Sequence, residues 1–396
     1  MTNPGITYEQ WQEAERALND CENNKAAAAR SLGQPPETFR NRLNRGRARF
    51  AGRAGVDGSA PDGYIIKGRS TLYGPDGDVR AEWVKTTADR ERLLEIAMDA
   101  VKEAARELPQ LEARPKLSID YDDKLMTVIP WGDPHFGMYA WAEEAGADFD
   151  SDIARRDLCA AVDYLIGQSP ASKECVIASL GDFFHADNHS AVTPGHGHSL
   201  DVDTRLQRVM RIGVSAIRQC IETALNRHET VHFVPVVGNH DPVLGMAMGV
   251  LLANVYQNEV RVKVHDAPTM RHYIRHGKVL LGFVHGDKTK DSSLPGIMAT
   301  ERPEDWGKTT HRYFFRGHHH HDARAEYNGC IVEQVRTLAA NDAYSTSRGF
   351  LSGRDMKLIV VHEEHGEVSR TTCSVDMLRN ARGHGYAALG GENDQA

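Results

Sequence analysis

Four short apolar runs, at residues 125–130, 174–180, 231–237 and 279–284, each give way within a few residues to a polar cluster. The clusters are Asp133-Pro134-His135, Gly181-Asp182-Phe183-Phe184-His185, Gly238-Asn239-His240-Asp241 and His285-Gly286. A fifth, Gly317-His318-His319-His320, follows the strand-like Arg312–Arg316. Runs this short and this apolar read as buried strands, and the helical stretches at 151–167 and 203–227 separate the first three. Strands alternating with helices predict an α/β domain from about Leu117 onward. Each polar cluster then falls where a strand leaves its sheet. Open α/β sheets build their sites at those carboxyl ends, on loops held by a rigid scaffold.

The side chains in the clusters are metal ligands by type. All twenty histidines lie at or after His135, so the first 134 residues carry none. Residues i and i+2 of an extended chain point to one side, which would let Asp133 and His135 converge on one ion. Pro134 biases Asp133 toward that extended geometry. His318 and His320 share the spacing, although a shifted pair, His319 and His321, fits it equally. Asp182 follows a glycine at a strand exit, where a carboxylate can bridge two cations. Taken singly, each of these residues would read as an ordinary loop or core residue. Together they make a mixed nitrogen and oxygen site suited to Mn²⁺, Fe or Zn²⁺ rather than Ca²⁺ or Mg²⁺ alone.

The ordered set resembles the calcineurin-like metallophosphoesterase superfamily, with its DxH, GDxx, GNH(D/E), H and GHxH motifs, over roughly residues 120–365. The resemblance implies an α+β four-layer fold, a two-sheet β-sandwich flanked by helices, holding two divalent metal ions. It implies Asp133, His135, Asp182 and His320 on one ion, and Asp182, Asn239, His285 and His318 on the other. His240 is implied to contact the substrate phosphate and aid the leaving group, with Asp241 orienting it. Gly181-Asp182-Phe183-Phe184-His185 followed by Gly238-Asn239-His240-Asp241 is similar to the double-strand-break repair nuclease branch, typified by the nuclease subunit of the SbcCD complex. That branch implies manganese, DNA as substrate and a strand-placing role for His185. The alternative for His185 is a hydrogen bond to Asp182. His189, His196 and His198 in the next loop are weaker candidates to line a groove. Only about 30 residues follow Glu364, and they do not read as a segment that docks an ATPase. The resemblance leaves a phosphatase or a small- or cyclic-nucleotide phosphodiesterase as rival enzymes on the same site. A DNA-binding regulator with an idle metal site is the rival outside enzymology.

The front of the chain has a different character. Residues 1–50 read as a small helical unit of three helices, and NKAAAARSLGQPPETFRNRLNRGR has the layout of a helix-turn-helix. Arg40, Asn41 and Arg42 are the groove-facing candidates for DNA, with Arg45 and Arg47 as phosphate clamps. A helical hairpin used for packing or dimerisation is the alternative. Formal charge is −8, from 47 Lys and Arg against 55 Asp and Glu, which excludes indiscriminate nucleic-acid binding but not a local basic element. Residues 51–115 read as a linker (51–62), a β-hairpin about Gly74-Pro75-Asp76-Gly77 and a helix at 88–108. The phosphoesterase-like domain is expected over 116–375 and a disordered tail over 376–396. No run reaches the length of a membrane span, the start lacks a signal peptide's apolar stretch, and the six cysteines form no CxxC pair. These features predict a cytoplasmic protein with no membrane partner. The appended amino-terminal unit would suit a phage protein in a bacterial host.

Overall fold

The computed structural model describes residues 7–21, 24–50, 64–73, 79–88, 119–195, 197–342, 346, 349 and 352–383. The chain divides into two compact units, Met1–Ile96 and Ala97–Ala396.

In the first unit, α1 (Tyr8–Asp20) starts at a capping box in which Thr7 and Gln10 bond each other's backbone. Asn24 caps α2 (Lys25–Ser31), and Gly33, at φ 61°, makes the turn into α3 (Pro36–Phe50). Ala14, Leu18, Ala28, Ala29, Phe39 and Leu43 close a small core among the three helices. Arg42 does not stand free for a groove as the sequence suggested. It donates to Glu13 Oε2 at 2.6 Å with its side chain 13% exposed, because its stem lies against the helix that supplies the acid. Arg40 and Asn41 are exposed, while the side chains of Arg45 and Arg47 lie outside the described residues. The hairpin forms as expected, with β1 (Tyr64–Tyr73) antiparallel to β2 (Val79–Ala88). The linker at 51–62 and the helix expected at 88–108, past Ala88, lie outside the described residues.

The second unit is four layers. One sheet has the order β13-β12-β3-β4-β5-β6, in which β3 (Asp122–Trp131), β4 (Ser172–Ser179), β5 (Thr230–Pro235) and β6 (Val262–Val264) run parallel. The antiparallel pair β12 (Asp355–His362) and β13 (Gly366–Ser374) completes it against β3. The other sheet centres on parallel β8 (Val279–Val284), β9 (His311–Arg316) and β11 (Cys330–Gln334). Antiparallel β7 (Arg271–His276) and β10 (Ala323–Tyr327) edge it.

Alternation along each strand sorts its side chains between two cores. Met126, Val128, Val176 and Val234 of one sheet meet Leu281, Phe283 and Phe315 of the other. Ile129, Ile177 and Phe233 face outward onto α4 (Ser151–Gln168), α5 (Leu206–Leu225) and α6 (Pro242–Val255). Leu280, Val284 and Phe314 pack beneath α7 (Leu294–Glu301). A two-sheet sandwich flanked by helices is the arrangement expected from the sequence. Of the tail expected at 376–396, residues 376–383 instead belong to α8 (Val375–Gly383), with Val375 and Leu378 buried in the helix-side core, and 384–396 lie outside the described residues. Val375 and Leu378, two apolar anchors at helical spacing, hold that segment as a helix. Among the described residues no helix is long and apolar enough to cross a membrane.

Phe283 is wholly buried between the sheets, its ring 5.9 Å from that of Phe315. Phe283→Ala is expected to lower stability by about 3–5 kcal/mol through the cavity it leaves. Urea denaturation followed by circular dichroism checks it.

Candidate metal centre

The carboxyl ends of β3, β4, β5, β8 and β9 lie at the same end of the two sheets, since these strands are parallel within each. A parallel bridge between Gly132 and Thr337, the latter just beyond β11, joins the sheets there. The five polar clusters therefore meet. Their donor atoms form two separate groups, Asp133–His135–His320 and Asp182–His285–His318, each within 4.8 Å. His135 Nε2 lies 3.2 Å from His320 Nε2, and His320 Nε2 lies 3.9 Å from Asp133 Oδ1. In the second group, His285 Nε2 lies 3.2 Å from Asp182 Oδ2 and 2.9 Å from Asn239 Oδ1. Ligands about 2.0–2.1 Å from one cation sit about 3 Å apart, so these spacings fit the donor shell of an ion. His319 and His321, the alternative pair, are exposed and turn toward each other, with ring centroids 5.8 Å apart.

The side chains do not converge as an extended chain would have them. Asp133 (φ 41°), His135 (φ 48°), Asp182 (φ 48°), His318 (φ 77°) and His320 (φ 55°) all sit in the left-handed region. Pro134 therefore does not hold Asp133 extended. The strands end before the ligands, and the backbone turns back sharply to aim several side chains at one point. Each such residue stores of order 1–3 kcal/mol, a cost typical of functional sites.

Hydrogen bonds hold this geometry. Both oxygens of Asp133 accept from His318 N, at 2.9 and 2.8 Å, and Asp182 Oδ1 accepts from His240 N at 2.8 Å. Thr337 Oγ1 donates to the Asp133 carbonyl at 2.7 Å, a support that nothing in the sequence flagged. Asp241 was expected to orient His240. Instead its carboxylate accepts from Phe184 N at 3.0 Å and Gly238 N at 3.1 Å, tying two loops together. The His185 carbonyl does the orienting, accepting from His240 Nδ1 at 2.9 Å, which leaves Nε2 as the free nitrogen. His185 itself is buried, with Nδ1 3.2 Å from His135 Nδ1 and its ring stacked 5.4 Å from His240. His135, His185 and His240 thus make a third cluster of nitrogens. Asp187, also unforeseen, accepts from Val243 N and Leu244 N and so caps the first turn of α6.

The electrostatics suit cations. Burial pushes the Asp133 carboxyl up to about 8, against the opposing pull of His285 and with Asp182 adding to the rise. Burial acts the same way on Asp182, but His285, His240 and His135 hold it well below the usual carboxylate range. Burial works against His285 too, yet Asp182 and Asp133 raise it to about 10. Burial lowers His135 well below its ordinary value, His185 and His318 to about 3 and His320 to about 4. These imidazoles are neutral at pH 7, the form that ligates metal.

No protein-family model matches the chain, and no curated protein matches it in sequence. Among solved structures it is similar to a conserved uncharacterized protein, a predicted phosphoesterase, from Streptococcus pneumoniae TIGR4. That match is 11% identical with a TM-score of 0.28, covering 63% of this chain and 98% of that one. Wild-type Vps29 complexed with zinc, from Entamoeba histolytica, matches at 11% identity and TM-score 0.28, covering 63% and 99%. Vacuolar Protein Sorting 29 from Cryptosporidium parvum matches at 13% identity and TM-score 0.23, covering 40% and 88%.

The glycines of the motifs are there for space. A Cβ on Gly238 would lie 2.0 Å from Asp182 Oδ1 and 2.2 Å from Asp182 N, while Gly181, at φ 96°, lies under the His285 ring. Gly238→Ala is expected to push Asp182 aside, costing about 1–3 kcal/mol of stability and weakening metal uptake. The check is thermal unfolding with and without Mn²⁺: the metal-induced rise in Tm should shrink markedly in the variant.

Proposed function

We propose that this chain is a dimetal phosphodiesterase of the calcineurin-like metallophosphoesterase kind, acting on DNA. The observation that carries the reading is the meeting of four sequence clusters as two ligand groups, with Asn239 of the fifth 2.9 Å from His285. Asp133, His135, His320 and Asp182 would hold one ion, and Asp182, Asn239, His285 and His318 the other. Two cations would supply charge for the scissile phosphate and a lower pKa for water. They also reconcile a phosphate-binding cleft with a chain of net charge −8. The mixed donor set suits Mn²⁺, with Fe or Zn²⁺ as alternatives.

The protein's own groups do the rest. His240, held through Nδ1 by the His185 carbonyl, offers Nε2 to the phosphate and to the departing oxygen. His185, packed between His135 and His240, fixes both rings and borders the strand's path. Asp241 acts on the reaction only by holding the two loops in register. The exposed Arg40 and Asn41, with Arg45 and Arg47 along the same helix, supply a separate contact to DNA backbone.

Degradation of labelled linear DNA with Mn²⁺, compared with EDTA, tests the activity. A phosphomonoester that turned over faster than DNA would favour a phosphatase. His240→Ala is expected to lose about 100-fold or more in turnover while retaining its ions, since it removes a proton-transfer group and no ligand. Metal analysis beside kinetics checks this, and loss of ions would make His240 a ligand. Arg40→Ala with Asn41→Ala should weaken duplex binding in EDTA and lower the salt slope by about one unit. Equal slopes would leave the three helices a packing unit.

A further inference from the structure

A cavity of about 690 Å³ opens beside the proposed centre. Its wall begins one residue past two of the clustered histidines, because Phe136 follows His135 and Ala186 follows His185. Val202, Leu206 and Val209 continue the apolar part of the wall, Asn188, His189, Asp203 and Gln207 make the rest polar, and Arg205 stands among them. The far wall is tied to the histidine segment. Met138 bridges Val202, Tyr139 N donates to the Asp201 carbonyl at 3.0 Å and Asp203 N to the Gly137 carbonyl at 3.1 Å. Arg205 is exposed at the head of α5, and no acidic side chain pairs with it among the described residues. On the same segment Tyr139 and Trp141, outside the cavity's lining, are each 49% exposed, and Val202 within it is 39% exposed.

Each feature points to one ligand chemistry. A cavity of this size falls within the range that encloses a small organic molecule, about 300–1,000 Å³. The apolar part of the wall suits the flat face of a base, which stacks irrespective of its identity, and the polar side chains beside it suit the base's edge. An unpaired arginine at the rim suits the phosphate on the base's far side. A base within a duplex is stacked and paired, so it can enter such a cavity only from a single strand or a frayed end. We infer that this cavity takes the nucleobase next to the scissile phosphate, so that the preferred substrate is an unpaired strand. The inference rests on the phosphodiesterase reading above and names the part of the substrate that the metal groups leave unaccounted for.

The test compares three substrates with Mn²⁺: single-stranded oligothymidylate, a blunt duplex, and bis(p-nitrophenyl) phosphate, which has no base. The wild-type protein should cleave the single strand in preference to the duplex. Val202→Trp, which fills the cavity, and Arg205→Ala, which removes the cation, should each lower the ratio of kcat/KM for oligothymidylate to that for bis(p-nitrophenyl) phosphate. A fall of roughly tenfold, mainly through KM, corresponds to losing one base stack. Taking the ratio cancels any loss of folded protein. If the small diester turns over while both variants keep the wild-type ratio, or the duplex is cut as fast as the single strand, the cavity does not bind a base. If wild-type protein cleaves none of the three, the phosphodiesterase reading falls, and this inference with it.

Discussion

Three buried carboxylates, Asp133, Asp182 and Asp241, hold the site end of the second unit together. Each accepts a backbone N–H group from another loop: Asp133 from His318, Asp182 from His240, and Asp241 from Phe184 as well as from Gly238 of its own loop. Asp133 follows β3 and His318 follows β9, so that contact crosses from one sheet to the other. Burying a carboxylate costs several kcal/mol, and charge-assisted bonds to backbone N–H groups offset part of it. The remaining negative charge faces His285, which, against burial, Asp182 and Asp133 raise to about 10, and otherwise neutral imidazoles. Cations bound there would complete the compensation, so one set of residues would serve both folding and the proposed chemistry.

The same constraint explains the backbone. A carboxylate that must reach a neighbouring loop and a ligand group at once needs the chain to reverse just past its strand. Asp133 and Asp182 do so with positive φ, and Gly238 is there because Asp182 leaves no room for a Cβ. Asp187 then fastens the start of α6, and Thr337 fastens the loop that carries Asp133. The strain sits just past the ends of the parallel strands.

Much of this was legible in the sequence because strands and motifs leave local signals. The runs at 125–130, 174–180, 231–237 and 279–284 fall on β3, β4, β5 and β8, and every expected ligand lies in the loop cluster beyond them. The path by which they converge was not legible. An i, i+2 spacing looks the same in an extended chain and in a left-handed turn, and only tertiary packing selects the second. Asp241 was misassigned because adjacency to His240 in sequence says nothing of direction; its carboxylate turns to the backbone of Phe184 and Gly238. Arg42 reads as basic surface in the sequence, but Glu13, 29 residues earlier, pairs with it in the fold. Thr337 and Asp187 carry no motif, and only their partners reveal them.

The most direct test of the account is where cations bind. Crystals grown with Mn²⁺ and measured at its absorption edge should show two anomalous peaks about 3.5–4 Å apart, the spacing of two-metal phosphoesterase sites. One should lie among Asp133, His135 and His320 and the other among Asp182, His285 and His318. A single peak, or one among His135, His185 and His240 instead, would contradict the dimetal centre.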